Sequence, residues 1–143
     1  MNQTKFGPAV YAFSVERYLY VGELDDVSGN IYLPGYFHFM SMGEQDMLIA
    51  LGHPMSTQLE DGLSVPVVHA ECDYKRPLRV GSQFVDRMSL HLGRKSSFCV
   101  KHSFQTPSGE VYAEGHVIRS WVDMKSFSGA AMPTWFRELK CSP

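Results

Sequence analysis

"PGYFHFMSMGEQDMLIALG", Pro34 to Gly52, is the stretch that organises the chain. It opens on a proline, whose fixed φ suits the first position of a helix, and closes on a glycine, the residue that most readily ends one. Between them Phe37, Met40, Met47, Leu48 and Leu51 recur at helical spacing, while Tyr36, Phe39 and Ile49 widen the apolar stripe to most of the circumference. The pattern predicts a long helix over 34–51, buried on more than one side.

Outward from this helix the period changes. Upstream, "AVYAFSVERYLYVG" alternates Tyr11, Phe13 and Val15 with Ala12, Ser14 and Glu16, the period of two that marks a strand. Downstream, after the polar connector "HPMSTQLEDG", come four strand-like runs: "SVPVVHAECDY", "SQFVDRMSLHL", "SFCVKHSFQT" and "EVYAEGHVIRSWVD". Pro77 and Gly81, Gly93, and the hairpin signal "TPSGE" separate them, and such short connections predict antiparallel neighbours. A second proline-started helix is predicted from Pro133. The order is that of an α+β fold in which a curved antiparallel sheet of five or six strands wraps one long helix.

The 143 residues carry no repeat or linker and predict one domain over 1–143. Thirteen basic against fifteen acidic residues give a net charge of -2, which argues against a nucleic-acid partner. No apolar run approaches the length of a membrane span or of a signal-peptide core, so the expected location is cytoplasmic. Cys72, Cys99 and Cys141 lie far apart, with no spacing that suggests a zinc site, and the six histidines are scattered. Neither a metal nor a resident cofactor is expected.

Four motifs then occur in order. Asp26, Gly29, Ile31, Tyr32 and Tyr36 form a D-x-x-G-x-[IV]-Y-x-x-x-Y pattern. Val68, Tyr74, Pro77 and Gly81 follow, with Ser82 where the pattern usually has Asp, and then "LGRKSSF" from Leu92 to Phe98. The last is "AEG" at Ala113 to Gly115, running on to Asp123 and Pro133. Across nearly its whole length the chain resembles the hotdog-fold acyl thioesterases of the 4-hydroxybenzoyl-CoA thioesterase type. The "GNIY" form at Gly29 to Tyr32 is also similar to thioesterases of enediyne polyketide pathways, which carry Asn where Asp26 stands here.

Thioester hydrolysis needs an activated nucleophile or water and a place for negative charge on the carbonyl oxygen. The resemblance implies Asp26 as the catalytic carboxylate, acting as nucleophile or general base, and the backbone N–H of Leu33 at the helix start as the oxyanion donor. Some relatives place a His where Leu33 stands, so here catalysis would rest on one carboxylate. Asp25 reads as a loop former whose charge would raise the pKa of Asp26 if the two carboxylates approached. Gly29 and Asn30 would shape the loop, and Tyr32, Tyr36, Phe37 and Met40 the wall of an acyl pocket suited to an aromatic or medium apolar group. Glu44 is a further candidate acid on the helix, and Gly43–Glu44 stands where relatives often have Ala-Arg. Arg94, Lys95 and Ser96 would meet the nucleotide end of coenzyme A through charge-assisted hydrogen bonds.

The implied substrate is an acyl-CoA or an acyl carrier protein thioester, and the implied assembly a homodimer or homotetramer with sites at subunit interfaces. Two other readings remain open in the sequence. A 3-hydroxyacyl-thioester dehydratase would need a His-Asp or His-Glu pair at the pocket, and a non-catalytic acyl-thioester binding module would need neither.

Overall fold

The computed structural model describes residues 5–31 and 33–140. In chain order the elements are β1 (Ala9–Tyr18), α1 (Leu33–Ala50), α2 (Met55–Glu60), β2 (Leu63–Ser64), β3 (Val67–Tyr74), β4 (Gln83–Leu92), β5 (Ser97–Gln105), β6 (Val111–Ser120), β7 (Val122–Asp123), β8 (Ser128–Gly129) and α3 (Thr134–Arg137). The main sheet has five antiparallel strands in the order β1-β4-β5-β6-β3, and β2, β7 and β8 form a small second sheet. α1 lies across one face of the main sheet, hereafter the inner face.

Local chemistry explains most of these boundaries. Gly52 sits at φ 83°, its N–H donates to the Ile49 carbonyl at 2.9 Å, and the His53 N–H donates to the Leu48 carbonyl at 2.9 Å. That is the glycine-dependent end expected of a helix whose last carbonyls need donors. In the hairpin "TPSGE" the Thr106 N–H reaches the Glu110 carbonyl at 2.8 Å, and Thr106 Oγ1 accepts from the Glu110 N–H at 3.0 Å.

α1 differs from the sequence expectation in one respect. Its buried residues, Gly35, Tyr36, Phe39, Met40, Gly43, Glu44, Met47 and Leu48, form one stripe, and Ile49 is 60% exposed. A single sheet face covers a single helix face, so the wider apolar pattern is left unpartnered in one chain. The polar connector before the strands contains α2, and the last strand run is split after Ser120 into β6 and β7.

A second correction bears directly on function. The short connection at Pro77–Gly81 predicts that the runs on either side of it, β3 and β4, are neighbours, but β3 pairs with β6 at the sheet edge and β4 lies between β1 and β5. Residues 75–82 therefore cross the end of the sheet. Leu78 is fully buried on the way, its carbonyl accepts the Ile31 N–H at 2.8 Å, and the Val80 N–H donates to the Gly29 carbonyl at 2.9 Å. The crossing segment thus braces the loop that leads into α1.

The core has two apolar clusters under α1. One gathers Leu19, Ile31, Tyr36, Phe39, Met40, Leu78, Phe84 and Phe104, and the other gathers Met47, Val65, Met88, Leu90, Phe98, Trp121 and Phe136. Among the described residues no helix is long and apolar enough to cross a membrane.

Candidate active site

The loop before α1 is built by hydrogen bonds to Asp26. Its Oδ1 accepts from the Ser28 N–H at 2.8 Å, the Ser28 hydroxyl at 2.5 Å and the Asn30 N–H at 3.3 Å, while the Asp26 N–H donates to the Asn30 carbonyl at 2.8 Å. Gly29 takes φ 80°, a conformation that a side chain would strain. Asn30 Nδ2 donates to Ser28 Oγ at 2.8 Å, and its buried Oδ1 has no partner among the described residues. The bonds from the Ser28 side chain and backbone hold the exposed Asp26 carboxyl below the ordinary carboxylate range. The Asp25 carboxylate is directed elsewhere, its Oδ1 accepting the Gly22 N–H at 2.7 Å, and Asp26 is shifted down rather than up.

α1 begins at Leu33, so its first amides lack intrahelical acceptors and present the positive end of the helix dipole. Tyr32 lies outside the described residues. Tyr36 is 6% exposed, edge-on to Tyr74 at 4.8 Å, with its hydroxyl pushed up to about 12 by burial. Met40 is fully buried and Phe37 packs partly buried against the same cluster.

Glu44 lies eleven residues beyond Leu33, roughly 16 Å along the axis at about 1.5 Å per residue, so the helix separates it from Asp26 of the same chain. It belongs to a polar layer between the two apolar clusters. Glu44 Oε2 is 3.0 Å from His102 Nε2, His102 Nδ1 is 3.0 Å from Asp86, and Arg119 Nε donates to Glu44 Oε1 at 2.8 Å. Arg119 Nη1 also donates to the Val65 carbonyl at 2.8 Å. Burial alone would lower the His102 pKa, but the hydrogen bonds and charges of Asp86 and Glu44 outweigh it and push it up to about 9. Burial raises Asp86 above the usual carboxylate range, against the lowering by His102.

Gly43 makes room for this layer: a Cβ there would stand 2.6 Å from Asp86 Oδ2 and 3.0 Å from Met88 Cε. Gly43→Ala is expected to destabilise the fold by about 1–3 kcal/mol despite the better helix propensity of alanine. Urea unfolding measures it, and an unchanged midpoint would contradict the packing argument. Glu44 and Arg119 also border a cavity of about 270 Å³ whose apolar wall includes Met47, Leu48, Phe98, Trp121 and Phe136.

The basic candidates lie at the other end of the sheet. Arg94, Lys95 and Ser96 form the β4–β5 turn, next to Leu92, whereas the Asp26 loop follows the opposite end of β1, where Tyr18 pairs with Gln83. The ten residues of β4 separate them by about 30 Å at ~3.3 Å per residue. Arg94 opens onto a cleft with Val68, and Lys95 and Ser96 onto a different one with Met132. Cys72 and Cys99 are both pushed up to about 11 chiefly by burial, which leaves neither as a ready thiolate.

Asp86, His102 and Arg119 are absent from the sequence candidates. Each had a signal. They occupy the inner-facing phase of β4, β5 and β6, beside Phe84 and Met88, Val100 and Phe104, and Val117 respectively, where an alternating strand otherwise carries apolar residues.

Comparison with known proteins converges on one group. A curated relative from Aquifex aeolicus, named "Putative esterase", is 29% identical over 79 residues; the match takes in 55% of this chain and spans 60% of the relative's length. A gentisyl-coenzyme A thioesterase structure superposes with a TM-score of 0.79 at 27% identity, covering 87% of this chain and 99% of that one. A 1,4-dihydroxy-2-naphthoyl-CoA thioesterase from Synechocystis has the same fold, with a TM-score of 0.83 at 17% identity over 89% of this chain and 93% of that one. The fold is the hotdog fold of these thioesterases. The family model of the thioesterase-like superfamily matches residues 20–139, from the end of β1 through α3, and the chain belongs to that superfamily.

Proposed function

We propose that this protein hydrolyses an acyl-coenzyme A thioester, with Asp26 as nucleophile or general base and the Leu33 N–H as oxyanion donor. The observation that carries the reading is an exposed, ionised carboxylate in a braced turn directly before the amide end of α1. There a carbonyl oxygen gaining charge would meet free donors and the helix dipole while the carboxylate attacks or deprotonates water. Family membership supports hydrolysis, and the two CoA thioesterase neighbours, both acting on aromatic acyl groups by their names, support an aromatic acyl substrate. The dehydratase reading is disfavoured because His102, paired with Asp86 and Glu44, has a fully buried side chain that a substrate does not reach.

In this reading the working unit is at least a dimer. β3 is an open sheet edge with Val67, Val68 and Tyr74 about half exposed, the kind of edge that invites pairing. Two copies joined antiparallel along β3 about a two-fold axis set the Val67 end of one beside the Tyr74 end of the other. Asp26 belongs to the Tyr74 end and Arg94 to the Val67 end, so the second copy would supply the phosphate clamp that one chain holds too far away. The same pairing turns the second copy's Glu44 cavity toward the α1 start, as space for the acyl group. A carrier-protein thioester would present the same pantetheine arm.

A panel of acyl-CoA and acyl carrier protein thioesters tests the reaction, and no hydrolysis of any of them would remove the proposal. Arg94→Glu is expected to raise KM for acyl-CoA about tenfold with little change in kcat. Mixing Asp26→Asn with Arg94→Glu subunits should restore one intact site per mixed dimer. Failure to restore it, with mixed dimers shown to form, would place both residues' work within one chain.

A further inference from the structure

On the outer face of the sheet, away from α1, the register gathers three metal-binding side chains. Glu71 of β3 stands opposite His116 of β6, and His69 lies one inter-side-chain step along β3 on the same face, opposite Ile118. Glu71 Oε1 is 2.9 Å from His116 Nε2 and 3.6 Å from His69 Nε2, and the three donor atoms lie within 4.8 Å of one another. The imidazole centroids are 5.6 Å apart. His116 is almost wholly buried, with 4% of its side chain exposed, whereas His69 and Glu71 at 34% and 58% open the group to solvent.

A zinc ion bound tetrahedrally at about 2.0–2.1 Å requires its donors about 3.3 Å apart. The two separations from Glu71 bracket that value, and rotation of the partly exposed His69 ring would close the third. A simple ion pair explains one imidazole beside Glu71; it leaves unexplained why a second converges on the same carboxylate oxygen. Lys101, opposite His116 on β5, and Arg87, on the next rung of the same face, are matched in number by Asp73 and Glu114 on that rung. Edge pairing along β3 uses backbone groups in the plane of the sheet and leaves this face open.

We propose that His69, Glu71 and His116 bind one divalent transition-metal ion of the zinc class, with a fourth position left to water. Two imidazole nitrogens and one carboxylate oxygen suit zinc, cobalt(II), nickel or copper(II) and not calcium or magnesium. The ion would fasten the edge strand β3 to β6 and stabilise the fold by mass action.

The test uses purified full chain stripped with a chelator and titrated with zinc against a chromophoric competitor, with cobalt(II) absorption as a report of low-coordinate geometry. The expected result is one ion per chain, a rise in Tm on zinc addition, and at least tenfold weaker binding for His69→Gln and for Glu71→Gln, both partly exposed and so expected to fold. Glu114→Gln, a nearby carboxylate outside the cluster, should bind as the wild type does. Binding by the wild type no tighter than by the His69→Gln/Glu71→Gln double variant, or binding that survives either single substitution unweakened, would overturn the proposal.

Discussion

Asp26→Asn is expected to lower kcat for thioester hydrolysis by roughly 10²- to 10⁴-fold, the usual contribution of a positioned acid or base, with Tm nearly unchanged. The choice of asparagine matters because Asp26 has two separable roles. Its Oδ1 accepts three hydrogen bonds that shape the loop, and an amide oxygen can accept the same bonds, so the turn survives while the carboxylate is lost. Asp26→Ala removes both. If Asn retains activity and Ala does not, Asp26 is a turn former and the catalytic assignment fails. Asp25→Asn should hydrolyse close to the wild-type rate. Because hydrogen bonds from Ser28 depress the Asp26 pKa below 3.8, its ionised form persists throughout the mildly acidic range. The acid limb of the rate profile should therefore not begin in the ordinary carboxylate range; a limb there would assign the work to another group.

His102→Leu is expected to destabilise the protein by about 3–5 kcal/mol, because it leaves two buried carboxylates, Asp86 and Glu44, without the imidazolium between them. Urea unfolding measures the loss, and a change below about 1 kcal/mol would contradict it. The pH dependence gives an independent check. The His102 pKa rises from 6.5 to about 9 on folding, so its contribution is complete below pH 6.5 and is lost as pH rises through about 9. Asp86 is also raised on folding, so its own contribution is complete below pH 3.8 and is lost as pH rises through its folded pKa. Wild-type stability should thus fall between pH 6.5 and 9 more steeply than that of His102→Leu. Equal slopes would place the buried charge elsewhere.

Tolerance at Glu44 connects the two results. A helix carboxylate in a thioesterase-like chain invites a catalytic reading, yet both Glu44 oxygens are engaged, Oε1 by Arg119 and Oε2 by His102. A group held this way is a poor free base but a firm wall for the cavity beside it. Glu44→Gln therefore belongs with the stability variants, and a loss of kcat at unchanged Tm would move it to the catalytic ones.

Most of what was legible in the sequence is local. The proline start and glycine stop of α1 depend on conformations of single residues, the strands on alternation over a few positions, and the Asp26 turn on bonds within five residues. Short-range rules make such features readable from neighbouring residues alone. For that reason the candidates Asp26, Gly29 and Asn30 fall in one loop, and Leu33 at the start of the helix it leads into. Arg94, Lys95 and Ser96 were legible as a basic turn, but nothing local records that a ten-residue strand separates them from Asp26.

By itself, then, the sequence determined the long helix, the five main strands, their order along the chain and the loop that offers a carboxylate to a helix start. Tertiary structure alone decided the rest. It sent β3 to the far edge and drew residues 75–82 across the sheet to brace that loop, placed Asp86, His102 and Arg119 around Glu44, and set His69 and Glu71 beside His116. The physical reason is register: these groups are far apart along the chain and meet only when strands pair in one alignment, where a slip of one residue would turn every side chain to the opposite face.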